Sequence, residues 1–313
     1  MTLKLAGAIF VLLAYRSTVF AQYAGENLRG DYGLNSGTQG APGYYLILPY
    51  FLQDIDEIRN SVGKSVLPGV VRGFDLRFFI PAIYAVTQKK IIGGIYGFSV
   101  AVPFSNYRPE RASEVNKVSG WGVSDLYVSP IILGWTAKHA DFIASYAFDA
   151  PTGSYEAGGD NNFGLGMWSH EIQGGATVYL DSMKKFSVAT SAFLELHTKK
   201  KDQDIRVGNI LTLEGGAGYN IEKIGGAFGV AYNLQQKVSN DSGSEVPVAA
   251  LRLLNLYGRN RVLGWGPEVT TGLFQKGQIA GSFTFRYFWD ALGKSSPQGS
   301  TLVVSFTIGR VSP

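Results

Sequence analysis

Apolar and polar side chains alternate along most of this chain, with the two-residue period of β-strands whose two faces meet different surroundings. In the last such segment Leu302, Val304 and Phe306 share one face, and Val303 and Ser305 share the other. About twelve segments of this kind begin near residues 43, 71, 91, 121, 139, 162, 185, 205, 224, 256, 278 and 300. The pattern predicts an all-β protein, and residues 246–272 form its least regular stretch.

The two faces of these segments differ in an unusual way. Phe228, Val230 and Tyr232 lie opposite Ala227 and Gly229, and most other segments likewise set large apolar residues against small or polar ones. An apolar exterior around a polar interior suits lipid, and in hydrocarbon an open sheet edge would leave backbone groups unpaired at several kcal/mol each. We therefore predict a transmembrane antiparallel up-and-down β-barrel of about twelve strands, spanning residues 43–313.

Connections between the segments alternate in length. The long ones are residues 53–69, 105–120, 151–161, 198–204, 237–245 and 291–299, and the short ones are 87–90, 137–139, 181–184, 220–223 and 275–277. Barrels of the bacterial outer membrane have short periplasmic turns and longer outward loops. The alternation predicts an outer-membrane location, with outer-membrane lipid and the barrel-assembly machinery as partners.

The first residues predict export. Lys4 precedes an apolar run over residues 5–14, and a small residue follows at Ala21, which is the pattern of a secretory signal peptide over residues 1–21. Residues 22–42 would then form a periplasmic segment ahead of the barrel that could plug it. Loss of Lys4 and Arg16 lowers the formal charge from +4 to +2. Without a basic cluster, no nucleic-acid partner is expected.

Charged residues inside the predicted strands indicate which face lines the lumen. On the lipid face a charge at mid-bilayer costs about 2–4 kcal/mol, so these side chains are expected to point inward. The predicted pore-lining residues are Asp75, Arg77, Asp125, Glu195, His197, Arg206, Glu214, Arg286 and Asp290. Tyr and Trp residues near strand ends predict aromatic girdles at the two membrane interfaces.

Several short motifs between residues 120 and 310 give the chain a family resemblance. They are the sequence from Gly120 to Leu126 (Gly-Trp-Gly-Val-Ser-Asp-Leu), the sequence from Ala150 to Tyr155 (Ala-Pro-Thr-Gly-Ser-Tyr), Asn162-Phe163-Gly164-Leu165-Gly166, and Gly264-Trp265-Gly266-Pro267. In this order the chain resembles the meta-pathway phenol-degradation family of outer-membrane proteins. The resemblance implies a β-barrel associated with catabolism of aromatic compounds.

We predict a channel for passive uptake of small solutes, because twelve strands lie between the filled lumen of eight and the water channel of roughly 16–18. The resemblance implies aromatic or hydrophobic solutes. No cofactor, metal site or catalytic residue is predicted. Ser169, His170 and Glu171 have the residue types of a hydrolase, but consecutive strand residues face opposite ways.

Three other interpretations remain open from the sequence. One is an outer-membrane lipid hydrolase whose partners come from different strands. Another is a non-conducting structural or adhesive barrel. The last is a secreted soluble β protein, which would bury its apolar faces between two stacked sheets.

Overall fold

A computed structural model describes residues 25–66, 73–109, 119–157, 159, 162–275 and 278–311. They form one antiparallel sheet of fifteen strands. The strands are β1 Gly43–Arg59, β2 Phe74–Phe79, β3 Ala82–Ile91, β4 Gly94–Ala101, β5 Phe104–Pro109, β6 Gly122–Val123, β7 Leu126–Thr136, β8 Ala140–Ala150, β9 Ser169–Tyr179, β10 Phe186–His197, β11 Ile210–Ile221, β12 Gly226–Lys237, β13 Arg261–Gln275, β14 Gln278–Asp290 and β15 Ser296–Val311. A short helix, α1 Val248–Leu253, and two 3-10 turns, Gly33–Asn35 and Glu222–Ile224, complete the secondary structure.

The sheet closes on itself. β15 pairs with β1 along almost its whole length, from Gly43 opposite Val311 to Arg59 opposite Ser296, with a bulge between Ile55 and Glu57. Closure leaves no sheet edge with unpaired amide and carbonyl groups, which is the condition for crossing a membrane with strands. The predicted all-β transmembrane barrel is confirmed.

The fifteen segments form twelve strands of the barrel, because three of these twelve strands are interrupted and each counts as two segments. β2 and β3 are separated by Ile80 and Pro81, and β4 and β5 by Val102 and Pro103, while β6 and β7 are separated by residues 124–125. Proline has no N–H to donate to a ladder, so strands break or bulge there. The hydrogen bond from Val102 N to Pro81 O at 3.1 Å carries the wall across the break.

The connections confirm the alternation of loop lengths, with one exception. Short turns at 92–93, 137–139, 180–185 and 222–225 share one end, here called the turn end. The other, loop end carries 60–73, 110–121, 151–168, 198–209, 238–260 and 291–295. The last of these was predicted to be long, but β15 already begins at Ser296. The predicted short turn at 275–277 lies mostly outside the described residues. By the rule for bacterial barrels the turn end faces the periplasm.

The outer face of the barrel is apolar. Among its exposed side chains Val230 and Ile172 are each 52% accessible, and Ile308 is 55% accessible. Buried side chains on the inner face include Glu195, Glu214 and many other polar residues. This is the inverse of a soluble protein, where apolar residues are inside, so the described barrel presents its exterior to lipid.

Aromatic side chains cluster where the barrel meets the membrane interfaces. Near the loop end Trp265 and Trp289 lie opposite each other with ring centroids 5.9 Å apart. Near the turn end Phe186 and Tyr219 have centroids 4.9 Å apart. Both positions fit interfacial girdles. Tyr84, one of the tyrosines near strand ends from which the girdles were predicted, instead faces the lumen. Among the described residues no helix has the length and apolar character needed to span a membrane.

The lipid-facing assignment predicts a large position effect for arginine. Val230→Arg, near the middle of β12, should lower the free energy of unfolding in bilayers by about 2–4 kcal/mol. Val62→Arg replaces a residue that is equally apolar and 63% accessible but lies in a loop, and should change it little. Denaturant titration of the barrel in lipid vesicles measures both. Equal effects of the two substitutions would contradict the lipid-facing assignment.

Candidate functional site

Residues 25–42, here called the plug segment, run through the barrel lumen from one end to the other. Near the loop end, Glu26 N donates to Glu195 Oε2 at 2.8 Å. Near the turn end, Thr38 Oγ1 lies 2.9 Å from Thr177 Oγ1. The plug segment therefore occupies the lumen rather than the periplasmic space before β1. Residues 1–24, with the predicted signal peptide, lie outside the described residues.

Carboxylates on the barrel wall bind the backbone of the plug segment. Glu214 accepts hydrogen bonds from Gly30 N at 2.5 Å and Tyr32 N at 2.9 Å, and Glu268 accepts from Leu34 N at 2.9 Å. A chain that joins no sheet must find other partners for its amides. Hydrogen bonds to charged groups contribute about 1.5–3 kcal/mol each, so these carboxylates fix the segment firmly.

The carbonyls of the plug segment face a cation. Arg286 Nη1 donates to the carbonyl of Asp31 at 2.7 Å, and Nη2 donates to that of Tyr32 at 3.3 Å. The same guanidinium pairs with Glu268 at 2.9 Å. Arg29 of the segment pairs in turn with Asp290 of the wall at 2.8 Å. Donors and acceptors of the segment are thus both matched by the wall.

Small residues let the segment approach the wall closely. A Cβ on Gly37 would lie 2.0 Å from the carbonyl carbon of Ala176, so only glycine fits at that position. Leu34 packs over Gly216 and Gly218 of β11, where any added Cβ would meet its side chain within 3 Å. The glycine-rich stretch of β11 is therefore part of the surface against which the plug segment packs.

The plug segment fills only part of the lumen. A cavity of about 1060 Å³ remains beside it, lined mainly by the segment and by β1 to β5, β14 and β15, with additional residues from β7 to β9, β12, β13 and the loop end. Apolar residues dominate the strand side of this cavity: Ile47, Pro49, Phe51, Ile55, Phe74, Leu76, Phe78, Ile80, Ala82, Tyr84, Ala101 and Pro103. Hydroxyl groups are spread among them, at Ser99, Ser105, Ser282, Thr284, Ser305 and Thr307.

Several of the predicted pore-lining residues turn inward, but few reach the cavity. Glu195, Glu214 and Asp290 bind the plug segment, as described above, and His197 is buried beside Glu195. Of the nine, Arg286 alone is among the residues that line the cavity. The plug segment therefore covers most of the charges that the sequence assigned to the pore.

Asp125 has a different role at the loop end. Its carboxylate accepts hydrogen bonds from Gly153 N at 2.9 Å and from Leu165 N at 2.7 Å. Both donors belong to the connection 151–168, so Asp125 fixes this loop over the barrel. Its side chain is buried, and it lies between β6 and β7 rather than within a strand.

Three pore-lining predictions are wrong. Asp75 and Arg77 alternate with the cavity-lining residues of β2 and so face outward, paired with each other at 3.0 Å. They avoid a lipid cost because they neighbour β1 near the loop end, and its 17 residues exceed the roughly 9–11 that cross a membrane. Arg206 is exposed in the loop 198–209, where its Nε donates to His197 O at 2.7 Å.

Sequence reasoning missed four buried carboxylates of the lumen: Glu171, Glu268, Asp141 and Asp149. Glu171 was available from the alternation of β9, since Ile172 beside it faces lipid. Glu268 lies in the stretch 246–272, where the strand pattern was least regular. The free-energy cost of a charge on the lipid face, from which the other inward-facing residues were predicted, applies equally to these four carboxylates.

The residue types of a hydrolase meet inside the barrel but are not assembled as one. Ser169 lies opposite His197 in the β9–β10 ladder, and His197 Nε2 is 3.4 Å from Glu195 Oε2. Among the described residues, however, Ser169 Oγ and His197 Nδ1 have no hydrogen-bond partner, so no bond joins them. His170 faces the other way and contacts Tyr146 at 2.9 Å. No group of three metal-ligating side chains occurs in the described part of the chain.

At the loop end, hydrogen bonds and ion pairs of charged side chains connect the loops to one another. Lys199 and the backbone of Ser244 hold the pKa of Asp204 well below its usual range, linking the loops 198–209 and 238–260. Lys200 Nζ donates to Leu165 O at 2.5 Å, and burial lowers the pKa of Lys200 to about 8. These contacts pack the loops over the outer end of the plug segment.

Comparison with known proteins identifies the family. Residues 56–306 match the model of the family described as MetA-pathway of phenol degradation. A search of curated proteins found no significant match.

Among solved structures, an outer membrane channel from Pseudomonas putida F1 is similar at a TM-score of 0.72 and 12% identity, covering 91% of this chain and 100% of that one. The β-domain of a Bordetella autotransporter is similar at 0.48 and 11% identity, over 87% and 100%. Of these two, the Pseudomonas barrel supports the fold. The chain is an outer-membrane β-barrel and belongs to the family described as MetA-pathway of phenol degradation.

Proposed function

We propose that this protein is a channel that admits small, weakly polar solutes, aromatic compounds among them, through the cavity beside the plug segment. The observation that carries the proposal is the apolar wall of that cavity. Ligand sites are typically lined by apolar and aromatic side chains with a few polar groups that orient the ligand. Here the polar groups are mostly hydroxyls, which suit a phenolic hydroxyl or a similar neutral group.

The length of the cavity supports passage rather than simple binding. Its lining follows β1 from Ile47 to Ile55, a distance of about 26 Å at 3.3 Å per residue. A strand tilt of about 40° reduces this to about 20 Å along the barrel axis, so the apolar wall reaches from the membrane-spanning part of β1 to its loop-end part beside Asp75 and Arg77. Porins with water-filled channels have polar interiors, so this wall favours solutes less polar than theirs.

The comparisons support the same proposal. The similar Pseudomonas structure is described as an outer membrane channel, and the family description names phenol degradation. An enzymatic role draws no support from the lumen, because Ser169 and His197 are not hydrogen bonded and Glu195 is engaged by the plug segment. The barrel is therefore proposed to be a non-enzymatic transporter.

Filling the cavity should block the proposed route. Ser305→Trp places a large ring in the cavity, and it should reduce phenol flux into proteoliposomes several-fold. Phe306→Trp is the matched control, since Phe306 lies next to it on the lipid face, 45% exposed, and it should leave the flux unchanged. Flux is measured as phenol uptake by vesicles containing the refolded barrel. Intact protein that passes no phenol would overturn the proposal, as would equal flux through both variants.

Weakening the attachment of the plug segment should enlarge the passage. Glu214→Ala removes the acceptor for two backbone amides, which are worth about 1.5–3 kcal/mol each with a charged partner. The variant should have a larger mean single-channel conductance and faster proteolysis within the plug segment. Glu222→Ala, in a turn-end connection, is the control and should behave as the unmodified protein. Unchanged conductance and proteolysis in Glu214→Ala would show that these bonds do not hold the segment in place.

A further inference from the structure

We propose that the wall beneath the plug segment is a second solute site, selective for cations and amine-bearing compounds and exposed when the segment leaves the lumen. This site differs from the cavity of the proposed function in chemistry and in most of its residues, and it shares Asp149, Glu171 and Arg286 with the cavity lining. It rests on the proposed function only in taking the lumen as a passage for solutes.

The charge on this wall is one-sided. Seven carboxylates of the wall strands turn inward among the described residues: Asp141, Asp149, Glu171, Glu195, Glu214, Glu268 and Asp290. The buried basic side chains are Arg29, Lys200, Lys237 and Arg286. Arg29 belongs to the plug segment, Lys200 to a loop, and Lys237 pairs with Asp241 at the end of β12. Among the described residues, Arg286 is thus the only buried basic side chain contributed by strands in the middle of the wall.

The positions of the carboxylates make this imbalance costly. Glu171 and Glu195 lie directly opposite each other in the β9–β10 ladder. Side chains in such pairs have Cβ atoms about 4.5–5.5 Å apart, and like charges there are destabilising. A wall built in this way requires donors or cations against it, because the two carboxylates cannot neutralise each other.

In the structure the plug segment supplies those donors. Glu195 and Glu214 accept backbone N–H groups, Glu171 accepts from Asn27 Nδ2 at 2.7 Å, and Asp290 binds the Arg29 guanidinium at 2.8 and 3.3 Å. These are the groups that an ammonium or guanidinium solute offers. The segment therefore places against the wall the donor groups that a cationic ligand would offer, although its own net charge, with Glu26, Arg29 and Asp31, is −1.

The wall also holds acceptor capacity that the segment leaves unused. Glu195 Oε1, Glu268 Oε1 and Asp141 Oδ1 have no hydrogen-bond partner within the described residues, although each residue is at most 5% exposed. Buried carboxylate oxygens normally find partners, and an unsatisfied one carries a desolvation cost. Unused acceptors on inward-facing side chains indicate a site that can bind more donors than it does now.

Removing the plug segment after folding tests the proposal. A protease recognition sequence inserted between Gly40 and Ala41, both exposed, allows the barrel to fold with its segment and then lose it on cleavage and a high-salt wash. The reversal potential is measured in planar bilayers under a KCl gradient and again under a methylammonium chloride gradient. The cleaved barrel should shift toward the equilibrium potential of the cation in both, relative to the uncleaved barrel.

Matched substitutions assign the effect to the wall. Glu171→Gln, Glu195→Gln and Glu214→Gln combined should abolish the shift in the cleaved barrel. Asp54→Asn and Asp56→Asn, on the outer face of β1, should leave it intact. If mass spectrometry shows that the cleaved segment stays bound, a variant without residues 25–39 is refolded and measured in its place.

The outcomes separate this proposal from the proposed function. A barrel that has lost the segment but shows no cation preference, or whose preference survives the three glutamine substitutions, overturns the second site. Phenol flux through the uncleaved barrel is measured in parallel. Its absence would count against the proposed function while leaving the cation-selective wall supported by the reversal potentials.

Discussion

Backbone groups inside a membrane must find partners within the protein, and this constraint governs both the wall and the contents of the barrel. The wall meets it by closing β15 onto β1. The plug segment cannot meet it in the same way, because it adds no strand to the closed sheet. Its amides and carbonyls instead require side-chain partners, and the buried carboxylates and Arg286 are those partners.

The same requirement explains why the lumen has two unlike halves. The half formed by β8 to β13 is acidic and glycine-rich, because it must bind a backbone at short range. The half formed by β1 to β5, β14 and β15 contacts the backbone of the segment through Arg286 of β14, and the rest of its lining is largely apolar with hydroxyl groups. A pore of uniform polarity would have needed neither feature, so the division of the lumen reflects the presence of the segment.

Much of the barrel could be predicted from the sequence because the relevant signals are local. Alternation along one strand, as in residues 302–308, determines which side chains meet lipid without knowledge of any neighbour. The prediction failed at β2, where Phe74, Leu76 and Phe78 form the inner face. There the rule that apolar residues face lipid is reversed, because the lumen is apolar and the strand extends towards the loop end.

The candidate site was harder to predict because its contacts join distant parts of the chain. Gly30 and Glu214 are 184 residues apart in the sequence and 2.5 Å apart in the lumen. The alternation of apolar and polar residues along the sequence does not reveal a contact between such distant residues. The cost of a charge in lipid did identify Glu195, Glu214 and Arg286 as inward-facing, but it could not show that they would be covered. That depends on the path of residues 25–42, whose glycines and short side chains carry no strand pattern.

The two halves of the lumen are coupled through the plug segment, which has one side on each. Leu28 and Tyr32 line the apolar cavity, and Leu28 packs against the cluster of Phe51, Phe288 and Val303. The amides of Gly30 and Tyr32, in the same stretch, bind Glu214. Loss of the segment would uncover the carboxylates and remove one wall of the apolar cavity in a single event. On the two proposals above, a barrel of this construction offers an apolar route while the segment is in place and exposes its acidic wall when the segment is absent, since the same residues complete the first and cover the second.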